Sequence, residues 1–328
     1  MVEYLVQLME EGEFEKCLRL SEQLLLRGGM TLVEMARLNL VICRCRLGLQ
    51  DSYGAINSGL LAVKLSRDLK EWDTLGRALL NVGTAYMGTR QFDLALQHFY
   101  SYLENVHHYS TSRRFEGAVW RSIGVAHQRK LETSRAVDAL TRAQQWFVKQ
   151  GADHSAFSCI HDLVHTHLQI RETNPGFSGD DPVPALLEQE RRLVRKYPSD
   201  TFFQSIYQYD RATHYLRCRR YGRAMVCAMK ALDIAKTDHQ LTSNAHMVLY
   251  ECSRDLGDTK QALGYALAAR VEAIRGRHYE LEFLAAQAMA EIIRKQGTDM
   301  IRELDLEYQS MGVDLGQYLS PVLLRRVN

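Results

Sequence analysis

The sequence predicts an all-α fold built from stacked helical hairpins. Three observations carry this. Only five prolines occur in 328 residues, and none in the first 174, so nothing interrupts long helices there. Apolar residues recur at i, i+3, i+4 and i+7, the spacing of a one-sided amphipathic helix. A small residue also returns at near-constant intervals, at Cys17, Ala55, Ala95, Ala136, Ala185, Ala224 and Ala262, which are 38, 40, 41, 49, 39 and 38 residues apart. A repeat of that length fits a pair of helices. One pair cannot bury its apolar faces alone, whereas a stack of pairs builds a continuous core.

The elements follow in order along about seven hairpins spanning residues 1–275. The first starts at Val2 and turns at Glu11-Gly12-Glu13 before Cys17. The second is marked by Ala55. In the third, Leu79-Leu80-Asn81-Val82-Gly83-Thr84-Ala85-Tyr86 precedes a turn at Gly88-Thr89-Arg90, then Ala95 and Phe99. The fourth repeats this pattern with Trp120, Ile123, Gly124, Ala136, Leu140 and Ala143; both its Gly and its Ala lie 41 residues after their counterparts. The fifth holds the 49-residue interval, whose excess is a Pro/Gly/Asp-rich loop at about 171–183, the only long irregular segment expected in the chain. That loop is either a tolerated surface insertion or a flap beside a groove. Tyr215, Ala224 and Ala231 mark the sixth hairpin, and the Gly257-Asp258 turn with Ala262 the seventh. Residues 276–328 read as a helical cap, with helices over 279–294, 301–311 and 317–326. Tyr318, Leu319, Val322 and Leu323 there could form a homodimer contact instead.

These residues resemble the tetratricopeptide repeat (TPR). Trp120, Ile123, Gly124, Ala136 and Ala143 fit its pattern in one copy, Val82, Gly83, Tyr86, Ala95 and Phe99 in another, and Tyr215, Ala224 and Ala231 in a third. The departures are a period near 40 and the near-absence of the closing proline, for which Pro198 is the one near match. Both make the chain similar to the TPR domains of bacterial Rap and PlcR-type signalling-peptide sensors, though eukaryotic adaptors also carry forty-residue repeats. The resemblance implies a right-handed superhelical solenoid whose first helices line a concave groove, and a cytoplasmic regulator that binds a short linear peptide or a partner protein there.

Composition excludes several other classes. With 41 Lys+Arg against 39 Asp+Glu the net charge is +2, too even for a strongly basic nucleic-acid protein, and no direct nucleic-acid partner is expected. Because the first repeat begins at Val2, no N-terminal helix-turn-helix is expected within the chain, which is either a stand-alone sensor that acts on a separate transcriptional or signalling protein, or a fragment of a longer regulator. No apolar run reaches the ~20 residues of a membrane span. Seven scattered cysteines fit buried free thiols in a reducing, cytoplasmic interior. No Gly-rich phosphate loop or nucleophile elbow occurs, so neither an enzyme nor a cofactor is expected. The nearest approach to chemistry is His161-Asp162-Leu163-Val164-His165. Two histidines at i and i+4 share a face, as a zinc pair requires, but Asp162 stands where the metalloprotease signature has Glu. A metal-dependent hydrolase at His161 and His165 is the remote alternative.

Groove candidates come from the repeat register. They are Arg37 and Arg44 in the second hairpin, Arg77 and Asn81 in the third, Arg121 in the fourth, and His161 and His165 in the fifth. Tyr209 and Asp210 follow in the sixth, and Asn244 and Glu251 in the seventh. Spacings of four and seven place the pairs of the second, third, fifth and seventh hairpins each on one helix face. The first half is rich in Arg, whose fork suits carboxylates; Asn amides suit an extended peptide backbone. A solvated face with incidental polarity is the plain alternative, and it would leave a constitutive scaffold rather than a sensor.

Overall fold

The computed structural model describes residues 2–173 and 181–296. Fifteen α-helices and no strand occur among them. They are α1 (Val2–Glu10), α2 (Phe14–Arg27), α3 (Leu32–Gly48), α4 (Ser52–Asp68), α5 (Trp72–Gly88), α6 (Phe92–Glu104), α7 (Glu116–Arg129), α8 (Thr133–Lys149) and α9 (Asp153–Thr173). After the insertion come α10 (Val183–Lys196), α11 (Thr201–Arg217), α12 (Tyr221–Ile234), α13 (His239–Asp255), α14 (Thr259–Arg275) and α15 (Tyr279–Gln296). The chain divides into two compact units, with the division falling inside α9 between Thr166 and His167.

The forty-residue period has a simple origin. Helices α3, α4 and α5 are each 17 residues long, and three-residue turns separate them, so two helices and two turns make one repeat. The turns are stereotyped. One residue adopts a left-handed conformation at Gln50, Lys70, Arg90, Leu131, Arg219 and Arg277, and glycine does so at Gly12, Gly151 and Gly257. The next amide donates back across the turn, as in Asp51 N to Arg46 O at 2.8 Å, Gln91 N to Tyr86 O at 2.9 Å and Glu132 N to His127 O at 2.9 Å. This 6→1 closure satisfies carbonyls that a helix end otherwise leaves unpaired. In the third hairpin the left-handed residue is therefore Arg90, while Gly88 still belongs to α5.

The small-residue series marks where helices approach most closely. Cys17, Ala55, Ala95, Ala136, Ala224 and Ala262 have no exposed surface, and each lies in the first turn of a second helix. The fifth hairpin corrects the register by one. There Leu186 occupies the equivalent place and is buried, whereas Ala185 is exposed; the insertion before α10 hid the shift. In the third and fourth hairpins the first helix carries a glycine that faces the residue four positions beyond this one on the second helix. A Cβ on Gly124 would lie 2.5 Å from Leu140 Cγ, and one on Gly83 would strike the Phe99 ring. Within the first unit, α3 packs on α5 and α5 on α7; within the second, α11 packs on α13 and α13 on α15. No pair of second helices packs comparably among the described residues, so each stack closes up on its first-helix side.

Two features differ from the sequence expectation. Residues 171–173 of the expected loop are helical, because α9 runs through Thr173, and Val183 already belongs to α10; residues 174–180 lie outside the described residues. A second irregular connection spans 105–115, between α6 and α7, and contains 3-10 turns at Val106–His108 and Ser112–Phe115. It escaped notice because α6 and α7 are only 13 and 14 residues long, which offsets the insertion and preserves the 41-residue interval. Asp73 of α5 fastens this connection by accepting hydrogen bonds from the amides of Ser110 at 3.0 Å and Ser112 at 2.8 Å. Tyr102 donates its hydroxyl to Ser112 O at 2.5 Å.

All seven cysteines are free thiols, and only Cys218 is exposed. Burial pushes the thiols of Cys43, Cys45 and Cys159 up to about 12. No helix among the described residues is long and apolar enough to cross a membrane. Helix α15 continues the array, burying Ala288, Met289, Ile292 and Ile293 in the same cluster as Leu263 and Leu267 of α14. The expected helices over 301–311 and 317–326, and the dimer contact placed on them, lie outside the described residues.

Two stability outcomes follow from these contacts. Leu131 is exposed yet left-handed, a conformation that costs a non-glycine residue about 1 kcal/mol. Leu131→Gly is expected to raise the melting temperature and Leu131→Val to lower it. Gly124→Ala is expected to destabilise by about 1–3 kcal/mol through overpacking, with partial rescue when Leu140→Ala is added; denaturant titration of the three variants measures that coupling.

Candidate functional site

The first-helix side of the N-terminal unit carries two cavities. The first, of about 350 Å³, lies between α1, α3 and α5. Arg37 and Arg44 reach it from α3, and Arg77 and Asn81 from α5. All four are among the groove residues expected from the sequence. Its apolar surfaces come from Val6, Met9, Leu40, Val41, Leu80 and Phe115, and Thr74 also lines it. Among the described residues, no acidic side chain lines it. Spacing of seven on α3 and of four on α5 aims these side chains at one space, because α3 and α5 pack directly together. The register did not reveal Phe115, Val6 and Met9. Phe115 comes from the irregular connection that Asp73 fastens, and the other two lie on the apolar stripe of α1.

The polar groups there differ in commitment. Arg37 forms an ion pair with Glu71 at 3.0 Å, with its side chain half exposed. Arg44 and Asn81 make no hydrogen bond or ion pair with any described residue, and Arg44 is exposed to the cavity. The site therefore holds a guanidinium and an amide with unused donors.

A second cavity of about 460 Å³ follows between α5, α7 and α9, lined in part by Thr84, Arg121, Phe147, His154 and Ser158. Here the expected role of Arg121 changes. Its Nε donates to Asp162 Oδ2 of α9 at 2.6 Å. Burial opposes the charge on Arg121, but the charge and hydrogen bond of Asp162 outweigh it and hold the guanidinium above its ordinary range. Arg121 is thus satisfied internally rather than open to a carboxylate ligand. The same pair occupies Asp162, the residue standing where a metalloprotease keeps its free base. His161 and His165 lie half-buried on one face of α9, with ring centroids 4.6 Å apart and edge-on. They are the residues that could offer nitrogen ligands to a metal.

The candidates of the C-terminal unit are largely engaged with their own neighbours. Asp210 of α11 has no exposed surface. It faces Glu190 of α10, which is also fully buried and whose two oxygens receive no donor. Burial first, and then the charge of Asp210 and a hydrogen bond with it, raise Glu190 well above the ordinary carboxyl range. Glu190 is therefore the protonated member of the pair. It lies on the buried face of α10 at i+7 from Val183, a carboxyl inside an apolar stripe, and that position was the available sequence signal. Burial likewise raises the phenol of Tyr209. Glu251 of α13 accepts from Arg217 at 3.1 Å, and Arg217 also pairs with Glu172 at 2.7 Å; burial still raises Glu251 despite Arg217 and Arg254. Asn244, half-buried on α13, makes no hydrogen bond with a described residue.

Comparison with known proteins agrees with this architecture. No protein-family model matches the sequence, and no curated protein matches it. Solved structures do. The apo form of RapI superposes with a TM-score of 0.59 at 11% identity, covering 94% of this chain and 85% of that one. The apo quorum sensor NprR from B. thuringiensis gives 0.60 at 11%, covering 95% and 87%. A Rap protein complexed with competence and sporulation factor gives 0.61 at 10%, covering 99% and 95%. The fold is the TPR-type helical-repeat fold of Rap and NprR. At these identities the likeness is one of backbone, and site residues have to be argued from this chain.

The buried carboxyl pair sets a pH dependence. Unfolded Glu190 titrates near its ordinary value of 4.5 and the folded residue well above it. Its contribution to stability is fully present below 4.5 and is lost as pH rises toward the folded value, by about 1.4 kcal/mol per pH unit in that window. Glu190→Gln keeps the shape and a donor for Asp210. It is expected to flatten the pH dependence of the melting temperature and to exceed the wild type at pH 8; an unchanged slope assigns the proton elsewhere.

Proposed function

We propose that this chain is a non-enzymatic binding module, a cytoplasmic regulatory sensor whose first-helix face takes a short linear peptide. The observation that carries the reading is the N-terminal cavity, where Arg44 and Asn81 hold unused donors beside apolar walls. Cavities of about 300–1,000 Å³ with a few convergent polar groups are the common form of a ligand site. An extended peptide needs side-chain amides for its backbone and pockets for its side chains, and this cavity offers both. The fold adds support, since a similarly built Rap protein was crystallised with competence and sporulation factor and NprR is a quorum sensor. Inert buried thiols suit a reducing compartment. Regulation would follow from small rotations between stacked hairpins, which add along an array when a ligand bridges them.

The hydrolase reading loses its base to the Arg121–Asp162 ion pair. The scaffold reading is separated by experiment. Arg44→Ala combined with Asn81→Ala is expected to weaken binding of a retained peptide from a randomised heptapeptide pool by about tenfold or more, with the melting temperature unchanged because neither side chain makes an internal bond. Small-angle scattering of the wild type is expected to change on peptide addition. Unchanged affinity in the double variant sinks the site assignment, and a protein that retains no peptide from the pool while co-purifying with one fixed partner is a scaffold.

A further inference from the structure

We infer that the C-terminal unit carries a binding site of its own, a cationic cavity between α11 and α12 that takes the phosphate group of a phosphate monoester on Arg211, Arg223 and Lys230. The site shares no residue with the N-terminal cavity and stands or falls separately from the peptide reading.

Charge is concentrated here by the sequence. Between Asp210 and Asp233 the chain carries six Arg or Lys residues and no acid, in a molecule whose net charge is only +2. Helical spacing then sorts them. Arg211 and Tyr215 are four apart on α11, and Arg223, Val226 and Lys230 fall on one stripe of α12. The two helices pack directly together. Their stripes meet around a cavity of about 320 Å³, with Gly222 and Cys227 also on its wall. Arg211 follows the groove candidate Tyr209 by two residues, about 200° around α11, so the two side chains leave the helix on opposite sides.

These cations have no anion of their own. Helices α10 to α13 are described throughout, and their acids are engaged elsewhere. Glu188 pairs with Arg191 at 3.0 Å, Glu190 is buried against Asp210, and Asp233 lies 3.9 Å from Lys236. On α13, Glu251 and Asp255 pair with Arg217 and Arg254. Among the described residues, no acidic side chain lines the cavity. Arg223 and Lys230 are exposed and make no hydrogen bond or ion pair with any described residue. Arg211 meets only neutral acceptors, Gln208 Oε1 at 3.3 Å and the Tyr215 hydroxyl.

Aromatic rings hold the guanidiniums in place. Arg211 lies over Tyr207 and Tyr215, at 5.3 and 5.7 Å from their centroids, and Arg223 lies over Tyr215 at 5.9 Å. Stacking uses the flat face of a guanidinium and leaves its in-plane N–H groups for a ligand. Donors held this way lose less entropy on binding. A Cβ on Gly222 would enter open space, so packing does not require glycine there, and its absence widens the cavity. The cluster suits one chemistry best. A carboxylate brings a single charge and two oxygens, and a phosphodiester chain spreads single charges along a backbone. A phosphate monoester concentrates nearly two charges and three acceptor oxygens on one group, one oxygen for each cation, and Arg forks match phosphate geometry. Val226, 55% exposed, gives the ester's organic part an apolar contact.

The experiment uses the full chain. Calorimetry titrates phenyl phosphate, a blocked Gly-phosphoserine-Gly peptide, the same peptide unphosphorylated, and a single-stranded oligonucleotide. At least one monoester is expected to bind about tenfold or more tighter than the unphosphorylated peptide, and the tighter of the two names the source, a small ester or a phosphorylated protein. Arg223→Ala and Lys230→Ala are each expected to weaken that binding about tenfold, and Arg223→Lys to retain part of it, with melting temperatures close to wild type. Gly222→Asp sets a carboxylate at the cavity and is expected to abolish binding without lowering the melting temperature, since an acid in a helix's first turn is stabilising. Absence of binding by either ester, equal binding of the two peptides, or tighter binding of the oligonucleotide overturns the inference. So does monoester binding that survives Arg223→Ala combined with Lys230→Ala.

Discussion

Two helices can lie against each other closely only where one of them carries almost no side chain. In this chain that place is the first turn of each second helix, where Ala55, Ala95, Ala136, Ala224 and Ala262 are fully buried. The facing helix contributes glycine at Gly83 and Gly124, with Phe99 and Leu140 filling the space that a Cβ would take. The contact locks the hairpins that carry it, and left-handed turns fix the step between helices at Gly12, Gln50, Lys70, Arg90, Leu131, Gly151, Arg219, Gly257 and Arg277. With both fixed, successive first helices within each unit are brought side by side, and what they carry on their outer face shares one surface of that unit. The cavity of Arg37, Arg44, Arg77 and Asn81 is a consequence of that placement, since α3 and α5 pack directly together.

What the sequence made legible follows from the same constraint. Sterics force Ala and Gly to specific spots, so their spacing survives when everything else varies, and the hairpins could be counted from it. The method fails where the constraint is relaxed. At Leu186 the close approach is filled by a larger residue, and the neighbouring Ala185 was a decoy on the exposed side. Between α6 and α7 two short helices and an inserted connection sum to an ordinary interval, so periodicity alone had nothing to detect. Phe115 belongs to that connection, and the largest apolar wall of the cavity was therefore out of reach of the repeat register.

Site residues were legible in their direction but not in their commitments. The register placed Arg44, Arg77, Asn81 and Arg121 on the first-helix side, and all four line cavities there. Whether a charge is open or already answered depends on a residue one hairpin away. Arg37 meets Glu71, Arg121 meets Asp162, and Arg217 meets Glu251, at separations of 34, 41 and 34 residues. These are about one repeat apart, so each pair links the first helix of one hairpin to the first helix, or its N-cap, of the next. Such pairing is invisible to helical spacing within one helix. Glu190 shows the converse case, a carboxyl whose position on an apolar stripe signalled burial but whose partner, Asp210, lies on the next helix.

This changes what charge means along the array. The composition reads as neutral, and the candidate positions read as cationic in the first half and mixed in the second. The structure replaces that contrast of sign with one of saturation. In the C-terminal unit Glu251 shares Arg217 with Glu172, and Asp210 holds a protonated neighbour, so these groups stabilise the stack and have little left to offer. In the N-terminal unit the exposed Arg44 remains hydrated and costs little to leave unpaired, while the donors it presents are lost to no internal acceptor. A ligand has to displace water from Arg44 but does not have to break an ion pair there, whereas at Arg121 it would have to compete with a carboxylate already held at 2.6 Å. On the proposed peptide-binding reading, an anionic group would therefore find its open guanidinium at Arg44, in the cavity between α3 and α5, and not at Arg121.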